Sequence, residues 1–350
     1  MNDKLFDISK NLLMQDIDTI YTIITQPDSE SRSIFFMGAF PYFTAFIAGA
    51  VDFLEEHQIN CSSLSIRNEF APVLAKVRAK LKLYRERTGK NISTIDSIRD
   101  NQNEEFAAQL RFPILQKFGI NYDLGTYILD NRYVGNAFLY KWFFDEVGEI
   151  QLKNPYFEYS KALGQAIRFI KDIWHINYLV CGNFDFETIA TKDFNVTRRH
   201  SKLFGNNSNK GQCLFLFNIM CQVNFAMYYL KKVLDDENSL SIRIKYLTYY
   251  FSCSSLRSLK NYCEQNKTMF YTLNCLETEN LSNLLNEEFC NCMRHYEIRD
   301  SNLDGISIEP NKEFDTIISF YFGCSKADFI DKLNSNLEII GGAIKKSVLR

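Results

Sequence analysis

The feature that most constrains this chain is its scarcity of helix-breaking residues. Six prolines and fifteen glycines stand among 350 residues. A many-stranded sheet needs frequent tight turns, which Gly and Pro supply, whereas long helices need few of them. Apolar residues recur at spacings of three and four along much of the chain, which is the period of a helix with one buried face. The sequence therefore predicts an all-α fold, a multi-helix bundle.

A polar stretch from Thr191 to Gln212 interrupts the helical pattern. It contains a glycine- and asparagine-rich run at 205–209, a composition typical of loops. We therefore predict two helical halves: an N-terminal region over 1–191, with no role assigned, and a C-terminal domain over 206–350.

Individual helices follow from the same period. The pattern predicts helices from Ser33 to His57, from Tyr127 to Glu149 and from Asn280 to Tyr296, among others. Ser325 and Asp328 have the spacing of an N-terminal capping pair, and an apolar stripe follows them. A last helix is therefore expected to begin there.

Charge and cysteine usage narrow the class of protein. The formal net charge is -2, so any contact with nucleic acid must come from a local patch. The ten cysteines form no paired C-x-x-C knuckles and only four histidines exist, which argues against structural zinc. No basic region followed by an apolar core stands at the start. We expect a cytoplasmic protein with reduced thiols, no metal and no cofactor.

Two uncharged apolar stretches, Ser33 to Val51 and Cys213 to Leu230, raise the question of a membrane. Each is near the minimum spanning length of ~17–20 residues. The first contains Gly38 and Pro41, and the second contains several amide side chains. Helices buried at the centre of a bundle explain both stretches, so we predict no membrane contact. A membrane-associated protein that uses the 33–51 segment stays open as an alternative.

The standard linear motifs of catalysis are absent. The sequence contains no G-x-G-x-x-G, no Walker-type phosphate loop, no H-E-x-x-H and no G-x-S-x-G. This weakens dinucleotide-binding, metalloprotease and esterase hypotheses.

The segment from Glu287 to Tyr296 carries the strongest chemical signal. If it is helical, Asn291 and His295 are four apart and share one face, with Arg294 beside His295. A cation next to an imidazole can bind a phosphate and move a proton, two requirements of phosphodiester cleavage. The plainer interpretation is a cation pair that stabilises the end of a helix.

The arrangement Phe-x-Asn-x-x-x-His-Tyr, formed by Phe289, Asn291, His295 and Tyr296, resembles the signature region of bacterial HEPN domains. The resemblance covers Leu240 to Arg350. It implies an all-helical domain that acts as a homodimeric, metal-independent endoribonuclease, often in toxin–antitoxin or phage-defence systems.

The chain departs from that signature, Arg-Asn-x-x-x-His, at one position. Cys290 stands where the family has Arg, and Arg294 is the nearest substitute in sequence. The resemblance implies that His295 is the acid or base for attack by a ribose 2′-hydroxyl, and that an Arg stabilises the charged phosphorane. A domain without that Arg is a catalytically impaired, RNA-binding relative.

A second candidate region is the run of cations from Lys76 to Lys90. Its outward-facing charges form a hypothetical surface for the phosphate backbone of RNA, although a solvated helix face is the plainer interpretation. A smaller group in the 191–212 stretch has the same two interpretations. The predicted nucleic-acid contacts are Lys76, Arg78, Lys80, Lys82, Arg85, Arg87, Arg198 and Arg199.

Two functional hypotheses follow, and they differ in what surrounds His295. A ribonuclease requires a partly exposed His295 on which cations converge. A non-catalytic helical scaffold that binds a protein partner would bury His295 and expose a large apolar patch.

Overall fold

The computed structural model describes residues 3–27, 30–82, 88–109, 124–148, 150–175, 177–180, 182–186, 188–194, 196, 203–204, 209–268, 281–296, 298 and 312–349. Within these ranges the chain forms twelve helices and one small sheet, so the predicted all-α, multi-helix fold is confirmed. The helices are α1 (Asp3–Thr25), α2 (Glu30–Glu56), α3 (Ser65–Asn68), α4 (Ala71–Lys80), α5 (Thr88–Gln109), α6 (Ala137–Gly148), α7 (Pro155–Trp174), α8 (Lys210–Asn224, continued by a π-helical turn at Phe225–Tyr229 and a last turn at Leu230–Val233), α9 (Ser239–Gln265), α10 (Glu287–Arg294), α11 (Glu313–Phe322) and α12 (Lys326–Val348).

The sheet has three antiparallel strands, β1 (Leu124–Leu129), β2 (Arg132–Asn136) and β3 (Ala190–Phe194), in the order β2-β1-β3. The prediction of one helix from Tyr127 to Glu149 is therefore wrong over its first part. Asp130 and Asn131 adopt φ of 48° and 61°, the left-handed conformation that a two-residue hairpin turn requires. Asp and Asn tolerate this conformation because their side chains bond locally to the backbone.

The two most apolar helices lie inside the fold. Helices α2 and α8 are long and apolar enough to cross a membrane, but 72% and 94% of their most apolar windows are buried by the rest of the chain. The polar groups of α2 have partners there: Tyr42 Oη lies 2.7 Å from Thr248 Oγ1, and Tyr159 Oη donates to Thr44 Oγ1 at 2.9 Å. Such burial is that of core helices, while the cytoplasmic location stays a prediction.

The buried apolar side chains of both predicted halves form one continuous core. Helix α1 packs on α7, α9 and α11, and α5 packs on α8, so elements from 1–191 and 206–350 interleave. The polar stretch that suggested a boundary contributes β3 to the sheet. The boundary itself stays a prediction.

Helix ends place the residues that matter for function. Ser325 Oγ accepts the Asp328 N–H at 3.1 Å at the start of α12, which confirms the predicted capping pair. The helix predicted from Asn280 to Tyr296 is shorter than expected, because α10 ends at Arg294. Residue 280 lies outside the described ranges.

Candidate functional site

His295 lies immediately after α10 and not within it. The Asn286 side chain caps the start of this helix by accepting the Phe289 N–H at 2.9 Å. His295 has extended backbone angles, φ −122° and ψ 149°, and its N–H donates to the Asn291 carbonyl at 2.9 Å. His295 therefore lies one turn beyond Asn291, at the C-terminal cap of α10, and the shared face stays a prediction. Asn291 is exposed, and its backbone, through this bond, holds His295.

Helix α2 passes close to this turn. A Cβ added to Gly49 would lie 2.9 Å from the Arg294 carbonyl oxygen and 3.7 Å from the His295 Cα. Real Cβ atoms do not approach a backbone oxygen this closely without a shift of the chain. Gly49 is therefore the residue that allows α2 and the end of α10 to meet.

The imidazole of His295 contacts a cation from a distant part of the sequence. Arg78 Nη2 lies 3.2 Å from His295 Nδ1, and Arg78 Nη1 donates to Asp52 Oδ2 at 2.7 Å. We call Asp52, Arg78 and His295 the His295 cluster. The side chains of Arg78 and Asp52 are 24% and 37% exposed, and His295 is half-buried, so solvent reaches the cluster.

The contact with Arg78 restricts which nitrogen of His295 can carry a proton. A guanidinium remains protonated in proteins and can only donate, so a bond to Nδ1 requires a lone pair on that nitrogen. A neutral imidazole with its proton on Nε2 meets this requirement. Asp52 holds the other edge of the guanidinium and thereby orients it.

The remaining cations of the predicted basic region point in several directions. Residues two apart on a helix project about 200° apart, so alternate cations cannot form a single face. Lys76 is exposed, Lys80 lies 5.5 Å from the ring of Trp142, and the Lys82 carbonyl accepts from Ser255 Oγ at 3.2 Å. Arg85, Arg87, Arg198 and Arg199 lie outside the described residues.

The residues that could supply the positive charge beside His295 differ in how deeply they are buried. Cys290, at the position of the signature Arg, is buried, and Arg294 is half-buried. Arg78 is the cation for which the structure gives a contact with His295. The sequence pattern assigned Arg78 to a separate basic region and did not predict that Asp52 belongs to a site. The available signal for Asp52 was that it is the first charged residue after the uncharged Ser33 to Val51 stretch.

Thiols and metals do not add to this site in the described part of the chain. No group of three or more His, Cys, Asp or Glu side chains there could hold a metal ion. The eight described cysteines are free, and burial raises the pKa of Cys221 to about 12. A thiol with such a pKa remains protonated and unreactive near neutral pH.

Comparison with protein-family models, with curated proteins and with solved structures finds no significant match.

Proposed function

We propose that the His295 cluster binds the phosphodiester backbone of RNA and cleaves it without a metal ion. The observation that carries the proposal is the contact between Arg78 and His295. It joins a permanent cation, which suits a phosphate, to an imidazole, which suits proton transfer. The half-buried His295 beside a cation also matches what a ribonuclease requires and differs from the buried His295 that a scaffold predicts.

Arg78 would take the role that the family signature gives to the residue at position 290. Cys290 is buried and cannot supply a permanent charge. The guanidinium of Arg78 is already at His295 and has a fork of donors for phosphate oxygens. Arg294, which adjoins His295 in sequence, is the second candidate cation of this site.

The reaction would proceed by attack of a ribose 2′-hydroxyl. When a phosphate oxygen draws Arg78 Nη2 away, Nδ1 of His295 is released and can accept the 2′-hydroxyl proton. The 2′ oxygen then bonds to phosphorus while the bond from phosphorus to the 5′ oxygen breaks, and that oxygen takes a proton from water. The products are a 2′,3′-cyclic phosphate and a free 5′-hydroxyl.

Cleavage of a defined RNA oligonucleotide in EDTA tests this proposal. Wild type should cleave it, whereas His295→Ala should not, and one 2′-deoxy nucleotide should protect the bond that follows it. The matched control is His175→Asn, since His175 is exposed at the end of α7, in a left-handed conformation that Asn also tolerates. Equal cleavage by wild type and His295→Ala would contradict the proposal.

One observation favours the alternative, a non-catalytic scaffold that binds a protein partner. Leu152, Tyr156 and Phe157 are neighbouring exposed apolar residues, and Phe157 is 65% exposed. Exposed apolar groups of this kind occur at protein contact sites. Under this alternative, Phe157→Ser would abolish partner binding while His295→Ala would leave the protein's role intact.

A further inference from the structure

A buried ion pair contacts the chain on both sides of His295. Arg243 of α9 and Asp16 of α1 are 1% and 0% exposed, and Arg243 Nε lies 2.6 Å from Asp16 Oδ2. Ser239 Oγ donates to the other carboxylate oxygen at 2.5 Å. The pair thus joins the first helix of the chain to the second half.

Both members of this pair bind the segment that carries His295. Arg243 Nη1 donates to the Cys292 carbonyl at 2.7 Å, in the last turn of α10. Tyr296 Oη donates to Asp16 Oδ2 at 3.0 Å, and the Arg243 guanidinium lies 4.6 Å from the Tyr296 ring. Burial and the Asp16 carboxylate raise the pKa of Tyr296 well above its ordinary value, so its hydroxyl remains a donor. His295 is therefore held between two points that one ion pair fixes.

The pair is a costly way to fill a core. Taking two charges out of water carries a penalty that their attraction repays only with good geometry, and apolar residues of similar volume often stabilise a fold equally well. Among the described residues, Arg243 Nη2 finds no hydrogen-bond partner, which adds to that cost. A contribution to stability is thus a weak explanation for this pair. Its directional bonds to Cys292 and Tyr296 are better explained by a role in fixing the two ends of the His295 segment.

We infer that Asp16 and Arg243 are positioning residues that hold His295 in register with Arg78. The contact between Arg78 and His295 depends on the path of the backbone after α10. Helix α2 packs closely against this backbone at Gly49, so the segment cannot move towards α2. The effect of these residues on catalysis rests on the proposed function. Their effect on the position of the His295 imidazole relative to Arg78 is independent of that function.

Long-range proton–nitrogen NMR of the His295 ring tests the inference. Tyr296→Phe removes the hydroxyl that donates to Asp16 and keeps the ring. Ser239→Ala removes the hydroxyl of α9 that donates to the other oxygen of Asp16. The control is Tyr159→Phe, which removes one equally buried hydroxyl, bonded to Thr44. In wild type, Nδ1 should give the signal of a nitrogen without a proton. That signal should shift towards a protonated nitrogen in Tyr296→Phe and Ser239→Ala, and stay in place in Tyr159→Phe.

RNA cleavage by the same variants separates this inference from the proposed function. Tyr296→Phe should lower kcat about tenfold with little change in KM, because a misplaced group loses transition-state stabilisation and not ground-state binding. A shifted Nδ1 signal with no cleavage by wild type would uphold the positioning role and refute the ribonuclease. An Nδ1 signal that stays in place in both Tyr296→Phe and Ser239→Ala would overturn the inference, whatever the cleavage rate. If Tyr296→Phe does not fold, Ser239→Ala alone decides.

Discussion

At the scale of single residues, the site depends on how each side chain of the His295 cluster restricts the next. Asp52 accepts from one edge of the Arg78 guanidinium, and the other edge lies at His295 Nδ1. A carboxylate beside the cation reduces the local positive charge but fixes the direction of its donors. In the proposed reaction, Arg78 therefore binds the phosphate and His295 transfers the proton, with Asp52 as the residue that orients the cation.

Replacing Arg78 by Met should weaken RNA binding about tenfold to a hundredfold, since a hydrogen bond to a charged group contributes roughly 1.5–3 kcal/mol. The slope of log affinity against log salt should fall by ~0.7 if one phosphate contact on a single strand is lost. Fluorescence anisotropy over a salt series measures both quantities. Lys76→Met is the matched control, because Lys76 is an exposed cation of the same helix, and it should change affinity less. Equal losses in the two variants would mean that α4 acts only as a general basic surface.

The ion pair of Asp236 with Lys245 makes the stability of the protein depend on pH in the acid range. Lys245 Nζ donates to Asp236 Oδ1 at 2.7 Å. Burial raises the pKa of Asp236, but the bond and charge of Lys245 outweigh it and leave that pKa below its ordinary value. The folded protein thus binds this proton more weakly than the unfolded chain. The stabilisation is present above the ordinary value of 3.8 and is lost as pH falls through the lower folded-state pKa.

Asp236→Asn should therefore destabilise the protein at pH 7, and its effect should shrink as pH falls below 3.8. Urea unfolding over this pH range measures the effect. Asp235→Asn is the control, since Asp235 is the exposed neighbour. An effect of Asp236→Asn that is constant with pH would show that its contribution is not electrostatic.

At the scale of elements, the sequence predicted the features that depend only on residues close together in the chain, such as helix periodicity and helix caps. The spacing of apolar residues predicted the helices, and the side chains of Ser325 and Asp328 predicted the start of α12, since a cap involves only neighbours. The hairpin at Asp130 and Asn131 was missed because its flanking residues also fit a helical period. The end of α10 was placed too late because α2, at Gly49, packs against the turn there, and that contact is not local.

The close approach at Gly49 makes a prediction about the junction of α2 and α10. Gly49→Ala should lower the free energy of unfolding by about 1–3 kcal/mol, because the added Cβ meets the Arg294 carbonyl and the core has no space to give. The matched control is Gly164→Ala in α7, where nothing lies within 4 Å of the added Cβ. That variant should be neutral or gain up to ~1 kcal/mol of helix propensity. Chemical denaturation of the two variants measures both effects. A Gly49→Ala variant that is more stable than wild type would contradict the close approach of Gly49 to the Arg294 carbonyl.

At the scale of the whole molecule, the site could not be predicted from the sequence because its parts are far apart in it. Arg78 and His295 are 217 residues apart, and three different elements bring the cluster together. His295 stood out because it lies in a short motif with Asn291. The role of Arg78 follows only from packing, and the same is true of Asp16, which reaches Arg243 across the continuous core.

The continuous core predicts that 206–350 will not fold alone. Removing α1 removes Asp16 and leaves Arg243 as a buried charge without its partner, a loss of the kind that costs about 3–5 kcal/mol. Circular dichroism and thermal melting of the purified fragment measure its folding. A cooperative transition in the fragment would instead support two independent halves.

A double-mutant cycle on binding tests whether Arg78 and His295 form one RNA site. The ligand is a 2′-O-methyl RNA oligonucleotide in EDTA, which cannot be cleaved, and the proteins are wild type, Arg78→Met, His295→Ala and the double variant. Because the contact with His295 Nδ1 holds the Arg78 guanidinium in place, each single variant should lose affinity. The double variant should lose little more than the weaker-binding single variant, a coupling of about 1 kcal/mol or more. Additive losses, or a wild type that binds no better than the double variant, would contradict it.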